Sequence, residues 1–111
     1  INAVGPMTAD VAAVYWIVAT PIVKWEMGAT KTQVLSKAVD SFGAFASIAV
    51  SGNTLFWVFG FNCGEVHQVN VDGTGEALFS QGTNASEWLG VTDTALFVMG
   101  GIGSNVYRAE R

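Results

Sequence analysis

A 41-residue repeat is the feature that most constrains what this chain can fold into. The segment Leu55-Phe56-Trp57 is preceded at a distance of 41 residues by Val14-Tyr15-Trp16 and followed at the same distance by Leu96-Phe97-Val98. Self-similarity at a fixed period near 40 residues, with strand-like segments between the copies, is typical of repeated four-stranded units. Seven positions before each marker stands an apolar residue that opens a short run: Met7, Ile48 and Leu89.

Each unit reads as four strands joined by turns. Segments such as 66–71 alternate apolar with polar residues, the pattern of a strand with one face on a core. Ser51-Gly52-Asn53 and Asp72-Gly73 carry the residues that tolerate the positive φ angles of tight turns. The sequence predicts an all-β fold with approximate units 1–36, 37–80 and 81–111, the last without its outer strand.

Two segments carry a second interpretation. In 34–42 the apolar residues recur at helical spacing, whereas the repeat alignment makes Val34-Leu35 the end of a strand. We favour the strand, because long-range self-similarity is harder to obtain by chance than a short periodicity. Residues 1–4 align best with the approach to a first strand; alternatively, they supply a missing fourth strand to a neighbouring copy.

The middle unit resembles the YWTD-type repeat of lipoprotein-receptor propellers and their bacterial relatives. The residues that carry the resemblance are Leu55-Phe56-Trp57, Gly64-Glu65-Val66, Val69 to Gly75, and Leu78-Phe79-Ser80. The Thr-Asp pair of that motif is replaced by Val58-Phe59. The resemblance implies blades that close into a six-membered ring around a channel, and it favours an extracellular or periplasmic location.

An open stack of three units leaves two sheet edges and two apolar faces exposed to water. Half of the residues are hydrophobic and only 13% are charged, against a usual charged share of roughly 25%. We therefore expect a partial β-propeller that is completed by self-association, as a homo-oligomer, or by the remaining blades of a larger propeller.

Two functions follow from such a partial propeller. The first is a non-enzymatic binding module that presents a carbohydrate or protein ligand site on its loops. The alternative is a fragment of a propeller hydrolase or lyase whose active site needs further blades, and we favour the first because no catalytic constellation is evident.

The remaining composition excludes several other classes. The net charge of −4 and the absence of a basic cluster argue against nucleic-acid binding. The apolar run 11–23 is interrupted by Thr20-Pro21 and is shorter than a membrane span of roughly 20 residues. His67 is the only histidine and Cys63 the only cysteine in the sequence. No further metal ligand stands at zinc-site spacing from His67 and no base lies near Cys63 in sequence, so we expect no metal, no cofactor and no catalytic role for them.

The predicted binding face comprises the loops that join second to third strands and fourth to first strands. These loops differ in length, whereas the turns at the other end of the strands are short and alike, and variable loops on a fixed scaffold commonly carry function. Indole rings are favoured on contact surfaces, although Trp88 also suits packing between blades. The candidate ligand-binding residues are the polar and aromatic members of these loops: Asp40, Phe42, Phe61, Asn62, Asn84, Glu87 and Trp88.

Overall fold

The computed structural model describes residues 7–17, 21–36, 46–59, 66–80, 88–100 and 105–111. This part of the chain is built of β-strands and turns, which confirms the all-β prediction. The strands are β1 Met7–Ala9, β2 Ala13–Ile17, β3 Ile22–Glu26, β4 Gln33–Ser36, β5 Ala46–Ser51, β6 Thr54–Phe59, β7 Val66–Asn70, β8 Ala77–Ser80, β9 Trp88–Val91, β10 Ala95–Gly100 and β11 Asn105–Glu110.

The strands form three antiparallel meanders in chain order. The first sheet has the order β1-β2-β3-β4, the middle sheet β5-β6-β7-β8, and the third sheet β9-β10-β11. The first strands lie side by side, β1 against β5 and β5 against β9, so the sheets fan out from a common inner edge. This arrangement is that of successive propeller blades.

The segment with two interpretations is a strand where the structure describes it. Gln33–Ser36 forms β4 and pairs with β3, with Val34 opposite Val23. The residues after Ser36, and residues 1–4, lie outside the described part of the chain.

Alternation along the second strand of each sheet decides which residues face which neighbour. In β6, Leu55 and Trp57 point toward the first sheet, and Phe56 and Val58 point toward the third. We call the side that carries Leu55 and Trp57, and the equivalent side of the other sheets, the front face. The opposite side, which carries Phe56 and Val58, is the back face.

Two hydrophobic layers hold the three sheets together. The layer between the first and middle sheets contains Ala13, Tyr15, Ile17, Ile22, Leu35, Ile48, Leu55, Trp57 and Val69. The layer between the middle and third sheets contains Phe56, Val58, Val66, Leu96 and Val98. The middle sheet is thus covered on both faces, so β6 is a continuous apolar run from Leu55 to Val58 with each of its side chains at most 1% exposed.

Candidate functional site

The ends of the strands define two faces of the stack. One, which we call the turn face, carries the β1–β2, β5–β6 and β9–β10 turns together with the β3–β4 and β7–β8 turns. The other, the loop face, is where β2, β6 and β10 end and β3, β7 and β11 begin. The structure describes the turn face in atomic detail.

A side-chain oxygen closes the first turn of the outer units. The Asp10 carboxylate accepts hydrogen bonds from the backbone N–H groups of Ala12 and Ala13, at 2.8 and 2.9 Å. In the third unit the hydroxyl of Thr92 accepts from Ala95 N–H at 3.1 Å. Thr92, and not the neighbouring Asp93, therefore takes the position of Asp10 in the repeat, and both turns are fixed by local side-chain bonds.

A second hydrogen bond recurs in all three units and shows which residues at the turn face are equivalent in the three repeats. The backbone N–H of the residue that follows the third strand donates at 2.9 Å to a carbonyl of the first turn. The three pairs are Met27 to Ala12, Val71 to Asn53, and Arg111 to Thr94. Met27, Val71 and Arg111 consequently hold equivalent positions in the three sheets.

An open cleft of about 350 Å³ lies on the turn face of the middle sheet, lined by Asn53, Asn70, Val71 and Asp72. Its one carboxylate is already engaged, since Asp72 accepts hydrogen bonds from both the hydroxyl and the backbone N–H of Thr74. These two bonds, the hydroxyl first, lower the pKa of Asp72 below its ordinary value. Among its described lining residues the cleft offers the amides of Asn53 and Asn70 and the Asp72 carboxylate, of which Oδ1 accepts both bonds from Thr74.

Polar contacts join neighbouring sheets close to the turn face. The Lys24 ammonium in β3 donates to the Val71 carbonyl at 2.7 Å, and the amide of Gln33 donates to the Asp72 carbonyl at 3.4 Å. Between the middle and third sheets, Arg111 donates to the Ser51 hydroxyl at 3.0 Å, and its guanidinium lies 5.1 Å from the Phe56 ring centroid. These contacts connect each sheet to the next one near the turn face.

The imidazole of His67 lies on the front face of the middle sheet. It stacks on the indole of Trp57, with ring centroids 5.5 Å apart and 15° between the planes. It therefore shares its face with Val69, which is one of the two arrangements that the alternation along β7 allows. The indole N–H of Trp57 is buried and has no hydrogen-bond partner in the part of the chain that the structure describes.

The predicted ligand-binding residues lie almost wholly outside the described part of the chain. Trp88 belongs to β9, where its backbone is opposite Met99. Its side chain is outside the description, so its place on a contact surface or between blades stays a prediction. The candidates that fall between described segments are Asp40, Phe42, Phe61, Asn62, Asn84 and Glu87. Cys63 lies in the same undescribed stretch as Asn62.

The structure also reveals residues that sequence reasoning passed over. Lys24 and Arg111 each reach from one sheet to the next, yet in the sequence they are ordinary charged residues near strand ends. The available signal was positional: Lys24 and Arg108 stand at equivalent places in the third strands, opposite Tyr15 and Phe97. A comparison of charged positions between repeats would have singled out Lys24 and Arg108 but not Arg111, whose equivalents Met27 and Val71 are uncharged.

The described residues show neither a metal-binding cluster nor a membrane-spanning helix. Within the described residues, histidine, cysteine, aspartate and glutamate side chains form no group of three that could hold a metal ion. Those residues likewise contain no helix with the length and apolar character needed to cross a membrane.

Comparison with known proteins defines the class by its fold. No protein-family model matches the sequence, and no curated protein matches it significantly. Among solved structures, a chain of the "Crystal structure of Nidogen/Laminin Complex" superposes with a TM-score of 0.70 at 15% identity. The match covers 90% of this chain and 41% of that chain, which is a β-propeller of the YWTD type. The protein thus has the fold of a partial β-propeller and spans less than half the length of that neighbour.

Proposed function

We propose that this chain is a non-enzymatic binding module, a partial β-propeller of the YWTD-like group, that is completed by self-association or by further blades. The observation that carries the proposal is the contrast between the two ends of the sheets. At the turn face, the same backbone bond is repeated three times at 2.9 Å. At the loop face, the connections differ in length, which is what a fixed scaffold with variable binding loops requires.

The fold neighbour supports a protein ligand. That neighbour comes from a complex between two proteins, as its title states. Propeller scaffolds bind through loops gathered at one end of the sheets, and the residues proposed here for that role are Asp40, Phe42, Phe61, Asn62, Asn84, Glu87 and Trp88. Carbohydrate is the second ligand class, since Trp88 and Phe61 are residue types whose flat apolar rings sugars stack on.

The test uses two probes, a phage-displayed peptide library and a glycan array. Ligands selected on the whole chain are measured by calorimetry against the triple variant Asn62→Ala, Glu87→Ala, Trp88→Ala. A matched triple variant on the turn face, Asn53→Ala, Asn70→Ala, Asp72→Ala, serves as the control. We expect the loop-face variant to lose binding at least about tenfold, which corresponds to roughly 1.4 kcal/mol, and the turn-face variant to keep it.

The opposite pattern would move the site to the cleft beside Asp72. Failure of both probe classes to yield any ligand would reject the binding module as formulated. Binding is measured only where both triple variants show the circular dichroism spectrum of the folded wild type, because the turn-face variant also removes the Asp72 bonds to Thr74 and is expected to have a lower urea midpoint.

A further inference from the structure

The front face of the first sheet is not covered by another of the described sheets, whereas the front face of the middle sheet packs against the first sheet. Ile48 in β5 is 7% exposed, whereas Met7, at the equivalent position of β1, is 59% exposed. Trp57 is fully buried against the first sheet, whereas the equivalent Trp16 is half-buried. The same positions are thus closed where a sheet packs on them and open where none of the described elements does.

This face carries apolar side chains across all four strands. One row crosses the sheet through the cross-strand pairs Met7 with Trp16, Trp16 with Val23, and Val23 with Val34. Met7 and Val34 at its ends are at least half exposed, whereas Val23 between them is buried. A second row joins Val14 to Trp25. Met7 and Val34 are exposed and Val14, Trp16 and Trp25 are partly exposed, so apolar side chains reach the surface on all four strands, and clustered exposed apolar side chains mark interaction sites.

The back face of the third sheet carries an aromatic ring, a cation and an acid in the same arrangement as the back face of the first sheet, which packs on the middle sheet. At the occupied interface, the Lys24 ammonium lies 5.9 Å from the Tyr15 ring centroid and 3.5 Å from the Glu26 carboxylate. On the third sheet, the Arg108 guanidinium lies 5.8 Å from the Phe97 ring centroid, and its Nε lies 2.9 Å from the Glu110 carboxylate.

The two arrangements differ in their exposure to solvent. The Lys24 side chain is 11% exposed and donates to the Val71 carbonyl of the next sheet. The Arg108 side chain is 57% exposed. The third sheet has the same aromatic ring, cation and acid as the first sheet, in Phe97, Arg108 and Glu110. A sheet packed on this face would account for the difference in exposure between Lys24 and Arg108.

We propose that the back face of the third sheet docks on the front face of the first sheet of a second copy. In that contact Arg108 donates to the Met27 carbonyl of the second copy, because Met27 holds in the first sheet the position that Val71 holds in the middle sheet. Two copies joined at both ends form a closed ring of six sheets, within the range of about four to eight that propellers adopt.

This inference rests on the proposed function, and it names a second copy of the chain as the partner that completes the ring. We favour a second copy over an unrelated chain because this chain carries both sides of the contact. The third sheet has the cation, Arg108, and the first sheet has the position of the accepting carbonyl, Met27. A second copy uses each half once and leaves neither apolar face exposed.

The test begins with the whole chain in solution. Light scattering after size exclusion is expected to give a mass of about twice 11.7 kDa over a wide range of protein concentration. Met7→Glu places a carboxylate on the front face of the first sheet, and Arg108→Glu reverses the charge on the back face of the third. Both side chains are more than half exposed, so each isolated copy can fold.

Each variant is expected to raise the dimer dissociation constant about tenfold or more, since burial of an unpaired charge is costly. The matched controls are Val11→Glu, at a side chain 98% exposed in a turn, and Lys31→Glu, at an exposed turn residue. Both controls are expected to stay dimeric.

Mixing the two variants tests the head-to-tail geometry. In each variant alone both contacts carry a substituted face, whereas the mixed pair has one contact between two native faces. At a protein concentration where each variant alone is mostly monomeric, the mixture is therefore expected to contain more dimer. If Arg108→Glu alone stays fully dimeric, or if the mixture stays monomeric, the head-to-tail contact is rejected.

The failure of this inference can be told apart from failure of the proposed function. The wild-type chain could prove to be a folded monomer that still binds a selected peptide or glycan through Asn62, Glu87 and Trp88. That result would reject the docking of a second copy and leave the binding function standing. A dimer that selects no ligand from either probe overturns the binding module and retains the docking.

Discussion

The Lys24 ammonium donates a 2.7 Å hydrogen bond to the backbone carbonyl of Val71, across the boundary between the first and middle sheets. The two residues are 47 positions apart in the chain. Val71 in turn donates its own N–H to Asn53 at 2.9 Å, so one lysine is tied to two turns of the next sheet. Because the Lys24 side chain is only 11% exposed, water cannot fully replace this contact.

Lys24→Met is therefore expected to destabilise the protein. The aliphatic stem is kept, but the Val71 carbonyl loses its charged donor, which typically costs about 1.5 to 3 kcal/mol. The measurement is the free energy of unfolding in urea at one fixed protein concentration, because association couples to stability. Lys31→Met, at an exposed turn position, is the control and should change that free energy by less than about 0.5 kcal/mol.

Asp10→Ala is expected to lower the free energy of unfolding by about 1 to 2 kcal/mol. The substitution removes two backbone hydrogen bonds, at 2.8 and 2.9 Å, and a weaker one from the Tyr15 hydroxyl at 3.3 Å. Asp10→Thr should restore about half of the loss, because Thr92 already closes the equivalent turn with its hydroxyl. Equal values for the Ala and Thr variants would show that the side-chain oxygen does not stabilise this turn.

These residues show what the sequence could and could not predict. Strands Gln33–Ser36 and Ala77–Ser80 lie where the repeat places them, because alternation and turn residues are local properties of the chain. The three sheets and their order follow from the period for the same reason.

Contacts between sheets were not predictable in the same way. Which face His67 occupies depends on register, and the structure places it on Trp57. The contacts made by Lys24 and Arg111 join groups that are far apart in sequence. The repeat can mark Lys24 as a recurring cation, but no local pattern identifies the partner that either side chain reaches. Apart from Trp88 in β9, the predicted ligand-binding residues come from segments of the sequence with no strand periodicity, so the pattern does not fix the position of a side chain.

The protein should lose stability in strongly alkaline solution because of Tyr15. Burial of the phenol, followed by the nearby Asp10 carboxylate, raises the pKa of Tyr15 from 10.0 to about 12. In the folded state the proton is held to a higher pH than in the unfolded chain. The stabilisation is therefore complete below about pH 10 and is lost as the pH rises toward 12.

Tyr15→Phe isolates this contribution. Urea unfolding of the wild type and the variant is compared at intervals between pH 9 and 12, so that other alkaline groups cancel in the difference. The wild type should lose stability more steeply than the variant over this range. Parallel curves would mean that Tyr15 titrates alike in the folded and unfolded chains.

Gly75→Ala is expected to be more damaging than Gly52→Ala, although both glycines have positive φ. At Gly52, with φ of 60°, an added Cβ would meet open space, so the cost is the backbone conformation alone, about 1 to 2 kcal/mol. At Gly75, with φ of 73°, the Cβ would lie 2.8 Å from the side-chain nitrogen of Asn70. Since that amide donates to the Thr74 hydroxyl at 3.2 Å, the substitution must also displace a turn contact. Urea unfolding of both variants measures the difference, and Asn70→Ala combined with Gly75→Ala should remove most of the excess. A double variant as unstable as the sum of the two single ones would show that the clash is not its cause.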